Sequence, residues 1–159
     1  MSNITRNGTA RKKAVANGFR SALEMRVSQQ LKAAKIEFEY EPKDMTFEYK
    51  IKEQNCKCDS CGGSKIFSSH NYLPDFLIGH VVLETKGKWD AIGRKKILAL
   101  QNQYPLTTFV MLFQQDQKIT KKTRYSDFCK KHTIPCLFER DNWIPELKSI
   151  IKNGIKYKD

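Results

Sequence analysis

The chain has 159 residues, of which 40% are hydrophobic and 11% aromatic, a composition that indicates a globular protein and excludes a disordered one. It has no run of about 18 apolar residues and no apolar signal-peptide core, so we expect a soluble, intracellular protein with no membrane partner. Lys and Arg number 29 against 17 Asp and Glu, a net charge of +12, which predicts a polyanionic partner such as nucleic acid.

The first 17 residues are basic and contain little that could be buried. Arg11, Lys12 and Lys13 lie there among small and polar residues. We predict that residues 1–17 are a disordered arm that binds a phosphate backbone. Residues 18–159 contain no linker or internal repeat and are predicted to form one mixed α/β domain.

A helix is predicted from about Ser21 to Ala34, with Leu23, Val27 and Leu31 among the residues of one apolar stripe. Ser21 and Glu24 have the spacing of a capping box, in which the glutamate returns to the serine amide. The spacing favours this structural role for Glu24. The functional alternative is that Glu24 provides one more carboxylate to a metal site.

Two extended segments follow, over residues 36–41 and 45–52, and they lead into a cysteine cluster. Cys56, Cys58 and Cys61 are followed by two glycines and resemble half of a zinc knuckle, because thiolates prefer zinc. A closed site needs a fourth ligand, and the possible donors are His70, Cys129, Cys136 or a thiol of a second subunit. The alternative is a loop of reduced, exposed cysteines. The odd total of five cysteines favours a reducing compartment.

Residues 74–86 predict a β-hairpin, since two apolar runs meet at Gly79-His80 and glycine suits the first central position of a type II′ turn. Counting outward from that turn places Asp75 opposite Glu84, with Lys86 on the same face. The same count pairs Ile78 with Val81, Leu77 with Val82, and Phe76 with Leu83.

Two opposed acids and a lysine at the edge of a buried hairpin favour a divalent metal site. Carboxylates are the oxygen ligands that magnesium and manganese prefer, and a cation relieves their repulsion. Lys86 would then hold the attacking water or offset charge on a phosphate. The alternative is a surface hairpin in which Lys86 only neutralises Asp75 and Glu84.

A helix is predicted from about Ala91 to Gln103, and basic residues lie before and within it. These are Lys88, Arg94, Lys95 and Lys96, which form either a solvated face or a phosphate cradle, and their position after Lys86 favours the cradle. Residues 107–113 predict a buried strand parallel to the preceding one through a right-handed crossover. A basic loop over 114–124, a short helix near 126–132, a strand over 134–138 and a helix from about 143 to 154 complete the chain.

The chain has Asp75 on one strand, Glu84-Thr85-Lys86 on the next, and Glu24 on a helix before both. This arrangement resembles the PD-(D/E)XK nuclease superfamily. Over residues 18–138 the chain also resembles the endonuclease I family of T-seven-like bacteriophages, which are Holliday-junction resolvases. Six blocks occur in the same order: Phe19-Arg20-Ser21-Ala22-Leu23-Glu24, Phe38-Glu39-Tyr40-Glu41, His70-Asn71-Tyr72-Leu73-Pro74-Asp75-Phe76, Glu84-Thr85-Lys86-Gly87, Arg94-Lys95-Lys96 and Tyr125-Ser126-Asp127-Phe128-Cys129.

The resemblance implies a restriction-endonuclease-like mixed sheet flanked by helices, and an enzyme that cuts branched DNA such as four-way junctions. It implies that Glu24, Asp75 and Glu84 hold one or two magnesium or manganese ions and that Lys86 assists the attacking water. Arg20 would join the basic residues on the DNA. For a phage protein the place of action would be the cytoplasm of the host cell.

The resemblance further implies an intertwined homodimer, with residues 42–52 as the bridge and Glu24 supplied by the other subunit. The cysteine-rich insertion over residues 53–69 departs from the family's better known members. Two other functions stay open on the sequence. One is a nuclease of the same superfamily that acts on linear DNA, and the other is a basic zinc-containing DNA-binding protein without catalysis.

Overall fold

The computed structural model describes residues 3–55 and 65–153. Its elements are α1 (Asn3–Ala16), α2 (Ala22–Ala33), β1 (Glu39–Tyr40), β2 (Phe47–Asn55), β3 (Lys65–Tyr72), β4 (Phe76–Ile78), β5 (Val81–Lys86), α3 (Ala91–Gln103), β6 (Thr108–Phe113), α4 (Tyr125–Lys131), β7 (Cys136–Phe138) and α5 (Ile144–Asn153). The predicted mixed α/β class is confirmed. None of the described helices combines the length and apolar character that a membrane crossing requires.

The predicted hairpin is present as β4 and β5, in the predicted register. Phe76 pairs with Leu83, and the next two pairs lead to the turn. Gly79 has φ +60, the left-handed region that favours glycine at this turn position. The ladder ends at Phe76, so Asp75 lies just outside β4 and its predicted strand pairing with Glu84 is not formed.

The main sheet has five strands in the order β1-β4-β5-β6-β7. The pairs β1–β4 and β4–β5 are antiparallel, whereas β5–β6 and β6–β7 are parallel. The crossover helix α3 has the predicted bounds, and Asp90 Oδ1 caps it by accepting from Gly93 N at 2.8 Å. Parallel pairing requires such a crossover, and it brings the basic face of α3 beside the end of β5.

Both faces of the sheet are covered by buried apolar side chains. Leu83 of β5 packs in the cluster that contains Leu23 of α2 and Leu147 of α5. Val82, on the opposite face, packs in the cluster that contains Ile97 of α3. Successive strand residues alternate between these faces, so β5 can present side chains toward α2 and α3 in turn.

The structure differs from the sequence expectation at the amino terminus, where residues 3–16 form helix α1 instead of a disordered arm. Ala14 is fully buried, and Phe19 N donates to Ala14 O at 2.9 Å. The helix packs against α2. A single buried alanine gives almost no hydrophobic signal in the sequence, and this explains why the helix was not predicted.

The predicted bridge, residues 42–52, enters a two-stranded antiparallel sheet formed by β2 and β3. Its backbone is held by α3 of the same chain, since Lys50 N donates to Gln103 Oε1 at 2.9 Å and Gln103 Nε2 donates to Lys50 O at 2.8 Å. Tyr104 donates to Glu48 O at 2.5 Å. Most of the predicted cysteine-rich insertion, including all three of its cysteines, lies outside the described residues.

Candidate active site

Glu24 is placed by the first turn of α2. Ser21 Oγ accepts from Glu24 N at 3.1 Å, so half of the predicted capping box is present. The other half is absent, because Glu24 Oε2 accepts from the Tyr40 hydroxyl at 2.6 Å and from Arg20 N at 3.1 Å. The glutamate is buried and turns toward the sheet instead of only capping its own helix.

Asp75 is anchored to the neighbouring strand by the middle residue of Glu84-Thr85-Lys86. Its Oδ2 accepts from Thr85 N at 2.9 Å and from Thr85 Oγ1 at 3.0 Å. Burial, and then the negative charge of Glu84, raises the pKa of Asp75 to about 7 against the opposing hydrogen bonds from Thr85. The Asp75 carboxyl group is therefore harder to ionise than an exposed one.

Glu84 is almost completely buried and lies between two lysines and a tyrosine. Its Oε1 is 3.2 Å from Lys86 Nζ and 3.0 Å from Lys96 Nζ. Its Oε2 accepts from the Tyr72 hydroxyl at 2.5 Å, and Lys96 Nζ also lies 4.6 Å from the centre of the Tyr72 ring. Burial, together with the charge of Glu84, raises the pKa of Tyr72, so its phenol remains a hydrogen-bond donor.

Arg20, predicted to bind DNA, instead pairs with acids of the site. Its Nη2 lies 2.9 Å from Asp75 Oδ1 and 3.8 Å from Glu24 Oε1, and its Nε contacts Glu41 Oε1. The side chain is 62% exposed, and its contacts with these acids are made by the guanidinium. Arg20 thus connects α2, the end of β1 and the start of β4.

The four residues predicted to be catalytic, Glu24, Asp75, Glu84 and Lys86, meet at one edge of the sheet within a single chain. The three carboxylates are buried hard oxygen donors, which is the ligand chemistry that fits magnesium or manganese. Within residues 3–55 and 65–153, however, no three acidic, histidine or cysteine side chains form a ready metal cluster. The carboxylates are paired with Arg20 and with lysines instead.

A groove opens beside these acids between α1, α2 and the end of β5. Its lining includes Arg11, Arg20, Glu24, Arg26, Lys86 and Gln114. Arg11, which is predicted to contact a phosphate, is exposed on α1. The groove is thus lined by Arg11, Arg20, Arg26 and Lys86, of which Arg20, Arg26 and Lys86 pair with acids of the protein.

The other residues predicted to bind DNA differ in their exposure and contacts. Lys12, Lys13, Lys88 and Lys95 are exposed to solvent. Arg94 instead donates to Trp89 O at 2.6 Å, and its guanidinium lies 5.8 Å from the centre of the Phe128 ring. Arg94 therefore supports the start of α3.

The zinc prediction rests on Cys56, Cys58 and Cys61, which lie outside the described residues. Two of the possible fourth ligands contact each other, since the Cys129 and Cys136 thiols form a hydrogen bond that raises the pKa of Cys129. His70 stacks on Tyr49, and its Nε2 lies 2.7 Å from Ser68 Oγ.

Sequence reasoning missed the roles of Tyr40, Tyr72 and Thr85 and the contact of Lys96 with Glu84. Tyr40 and Tyr72 lie in extended segments where an aromatic residue is ordinarily read as core. The sequence held one indication for Thr85. Its hydroxyl lies between Glu84 and Lys86 in the strand and so faces the side opposite to them, where a polar group needs a partner. That signal does not identify the hydroxyl's partner, which depends on the strand end next to it.

Buried acids with a lysine thus lie together at the end of a hairpin, an arrangement that fits a nuclease. The family model for phage endonuclease I matches residues 5–159. Endonuclease I of Escherichia phage T7 is 36% identical over 120 residues, which are 73% of this chain and 70% of that protein. Endodeoxyribonuclease 1 of Enterobacteria phage T3 is 36% identical over 120 residues, which are 73% of this chain and 68% of that protein.

The chain belongs to the phage endonuclease I family. The family resemblance expected from the sequence is confirmed, and the protein is an endonuclease. The alternative of a DNA-binding protein without catalysis is therefore wrong.

Proposed function

We propose that this endonuclease hydrolyses phosphodiesters in branched DNA, and that four-way junctions are its preferred substrate, which would make it a Holliday-junction resolvase. The observation that carries the proposal is the meeting of Glu24, Asp75, Glu84 and Lys86 beside a groove lined by arginines. DNA is a polyanion, so it is also complementary to the net charge of +12. For a member of a phage family, the cytoplasm of the infected host cell is the proposed place of action.

Glu24, Asp75 and Glu84 would hold one or two magnesium or manganese ions. A bound ion would stabilise charge on the phosphate and make water a better nucleophile. Lys86 has a side chain that is 33% exposed, against 18% for Lys96, which supports Lys86 as the lysine that would orient the attacking water. Thr85 fixes Asp75 with two hydrogen bonds.

Preference for a branched substrate is proposed to come from a homodimer that holds two such sites at a fixed spacing. Basic surfaces would then recognise the shape of the junction more than its sequence. Lys12, Lys13, Lys88 and Lys95 are exposed and support this role.

Exchange of the amino-terminal segment between subunits is part of the proposal. Glu24 precedes the connection between β1 and β2, whereas Asp75, Glu84 and Lys86 follow it. If two copies exchanged the part before residue 42, each site would be rebuilt with Glu24 from the partner. Residues 42–52 would then be the bridge.

Cleavage assays test the activity. Four-way junction and linear duplex of the same sequence are incubated with magnesium, manganese or EDTA, beside Asp75→Asn and the surface control Lys130→Gln. We expect metal-dependent cleavage of the junction, lost in Asp75→Asn and retained in Lys130→Gln. Preferential cleavage of the duplex would favour the linear-DNA alternative, and cleavage in EDTA would remove the metal from the proposal.

Mixed subunits test the exchange. Glu24→Gln and Asp75→Asn proteins are inactive separately but are co-refolded and their heterodimer is purified with two affinity tags. If segments are exchanged, one site of the heterodimer contains both mutations and the other contains neither, so about half of the activity returns. No recovery by a verified heterodimer would place all four residues within one subunit.

A structural zinc ion on Cys56, Cys58 and Cys61 is a further part of the proposal, carried by their spacing in the sequence. His70, Cys129, Cys136 or a partner thiol would provide the fourth ligand. Elemental analysis of protein purified without added zinc is the test, with Cys58→Ser as the comparison. Less than stoichiometric zinc in the wild type would reject this part.

A further inference from the structure

Arg20 holds acids that come from three separate elements. Its guanidinium contacts Glu24 in α2, Glu41 after β1 and Asp75 before β4. Its backbone N–H also donates to Glu24 Oε2 at 3.1 Å. The acids would repel one another without a cation among them, so Arg20 stabilises this arrangement.

Other basic side chains near the site pair with different acids. Lys86 and Lys96 both contact Glu84. Arg26 lines the same groove as Arg20 but is turned away to Glu139, with Nη2 and Oε1 at 2.8 Å. Arg20 is therefore the described cation that bridges Glu24 and Asp75.

The oxygens that face Arg20 are the ones a shared metal would need. Asp75 Oδ2 already accepts two hydrogen bonds from Thr85, and Glu24 Oε2 accepts from Tyr40 and from the Arg20 amide. The remaining oxygens, Asp75 Oδ1 and Glu24 Oε1, are the two nearest the guanidinium. A guanidinium and a divalent ion are both cations attracted to these oxygens, so they repel each other there and compete for the same carboxylates.

Arg20 reaches the acids from the solvent side. Its side chain is 62% exposed whereas Asp75 and Glu24 are buried, so the guanidinium can return to water when another cation neutralises the acids. A divalent ion carries twice the charge on a smaller centre and attracts the same carboxylates more strongly.

We infer that Arg20 is an exchangeable counter-ion, which keeps Glu24 and Asp75 together and is displaced from them when a divalent ion binds. This inference rests on the proposed metal-dependent function. It makes Arg20 a positioning residue that lowers the apparent metal affinity, since the metal must compete with it. Arg20 therefore stabilises the metal-free site and opposes the metal-bound one.

Calorimetric titration with manganese, without DNA, tests the inference on wild type, Arg20→Gln and the matched control Arg26→Gln. We expect Arg20→Gln to bind manganese roughly three- to tenfold more tightly, while the temperature of unfolding in EDTA falls. Arg26→Gln also removes a positive charge from the groove, but its manganese affinity should equal that of the wild type. Equal changes in both variants would indicate a general effect of charge and overturn the inference.

Arg20→Lys is the second variant, because it keeps the positive charge but lacks the guanidinium fork that contacts Glu24, Glu41 and Asp75 together. It should also bind manganese more tightly, by a smaller factor, and it decides the question if Arg20→Gln does not fold. Unchanged or weaker binding in these variants would overturn the role of Arg20 while leaving the metal site intact. If the wild type itself binds no manganese, the proposed metal site fails, and that outcome is distinct from failure of Arg20 alone.

Discussion

The Tyr72 hydroxyl donates a 2.5 Å hydrogen bond to Glu84 Oε2, and both side chains are buried. Tyr72 ends β3 of the two-stranded sheet, whereas Glu84 lies in β5 of the main sheet. This bond therefore ties the β2–β3 sheet to the active-site edge. It also orients Glu84, whose other oxygen contacts Lys86 and Lys96.

We predict that Tyr72→Phe lowers both stability and cleavage. The ring is retained but a buried carboxylate oxygen loses its donor, which costs about 1–3 kcal/mol of the free energy of unfolding. Urea denaturation and junction cleavage measure the two effects. Tyr104→Phe is the control, because it removes a tyrosine hydrogen bond to Glu48 O remote from the acids and should leave cleavage unchanged. A fully stable and active Tyr72→Phe protein would show that the bond does not orient Glu84.

The metal-free protein should lose stability through Asp75 as the pH rises from about 4 to 7. The folded-state pKa of Asp75 is raised to about 7, above its ordinary value of 3.8, so the native state retains a proton that the unfolded chain releases. The favourable contribution is complete below pH 3.8 and is lost as the pH passes 7, with a slope of at most about 1.4 kcal/mol per pH unit.

Urea unfolding of wild type and Asp75→Asn in EDTA at several pH values measures this effect. As the pH rises, the free energy of unfolding of the wild type should fall relative to that of Asp75→Asn. The difference should level off above about pH 7. Saturating magnesium should reduce the slope, since a bound cation favours the carboxylate. A difference that does not vary with pH would show that Asp75 titrates normally.

Lys96→Met and Lys95→Met are predicted to have different effects although the residues are adjacent. Lys96 contacts buried Glu84 at 3.0 Å, so its replacement should cost about 1–3 kcal/mol of stability, with Lys86 still present as a partner. Cleavage should fall with it. Lys95 is exposed, and its replacement should alter only the affinity for DNA. Thermal unfolding and DNA titration separate the two outcomes, and equal stability loss in both variants would contradict the assignment.

Arg94→Gln should behave as a structural substitution and Lys88→Gln as a DNA-binding one. Arg94 donates to Trp89 O, so its loss should lower stability by about 1 kcal/mol and leave the salt dependence of DNA binding unchanged. Lys88 is exposed, and its loss should reduce the slope of log affinity against log salt by about 0.9 if it contacts one phosphate. Binding in calcium at several salt concentrations measures this, and a reduced slope in Arg94→Gln would reverse the assignment.

The sequence by itself determined the local elements around the acids. The glycine turn and alternating apolar residues were sufficient for the register of β4 and β5, because a hairpin's pairing follows from its turn. The bounds of α3 were also predicted from the sequence, and the structure adds that Asp90 caps its first turn. The parallel strand β6 followed from the crossover rule. The motif residues also indicated the family to which the chain belongs.

Only the tertiary structure decided which side chains form ion pairs and hydrogen bonds with one another. Arg20 and Glu24 are close in sequence, but their meeting with Asp75 depends on how α2 packs against the sheet. Tyr72 reaches Glu84 through packing of one sheet on another. Such contacts join segments of large sequence separation, and local spacing carries no information about them. The same reason applies to helix α1, which buries Ala14 and packs against α2.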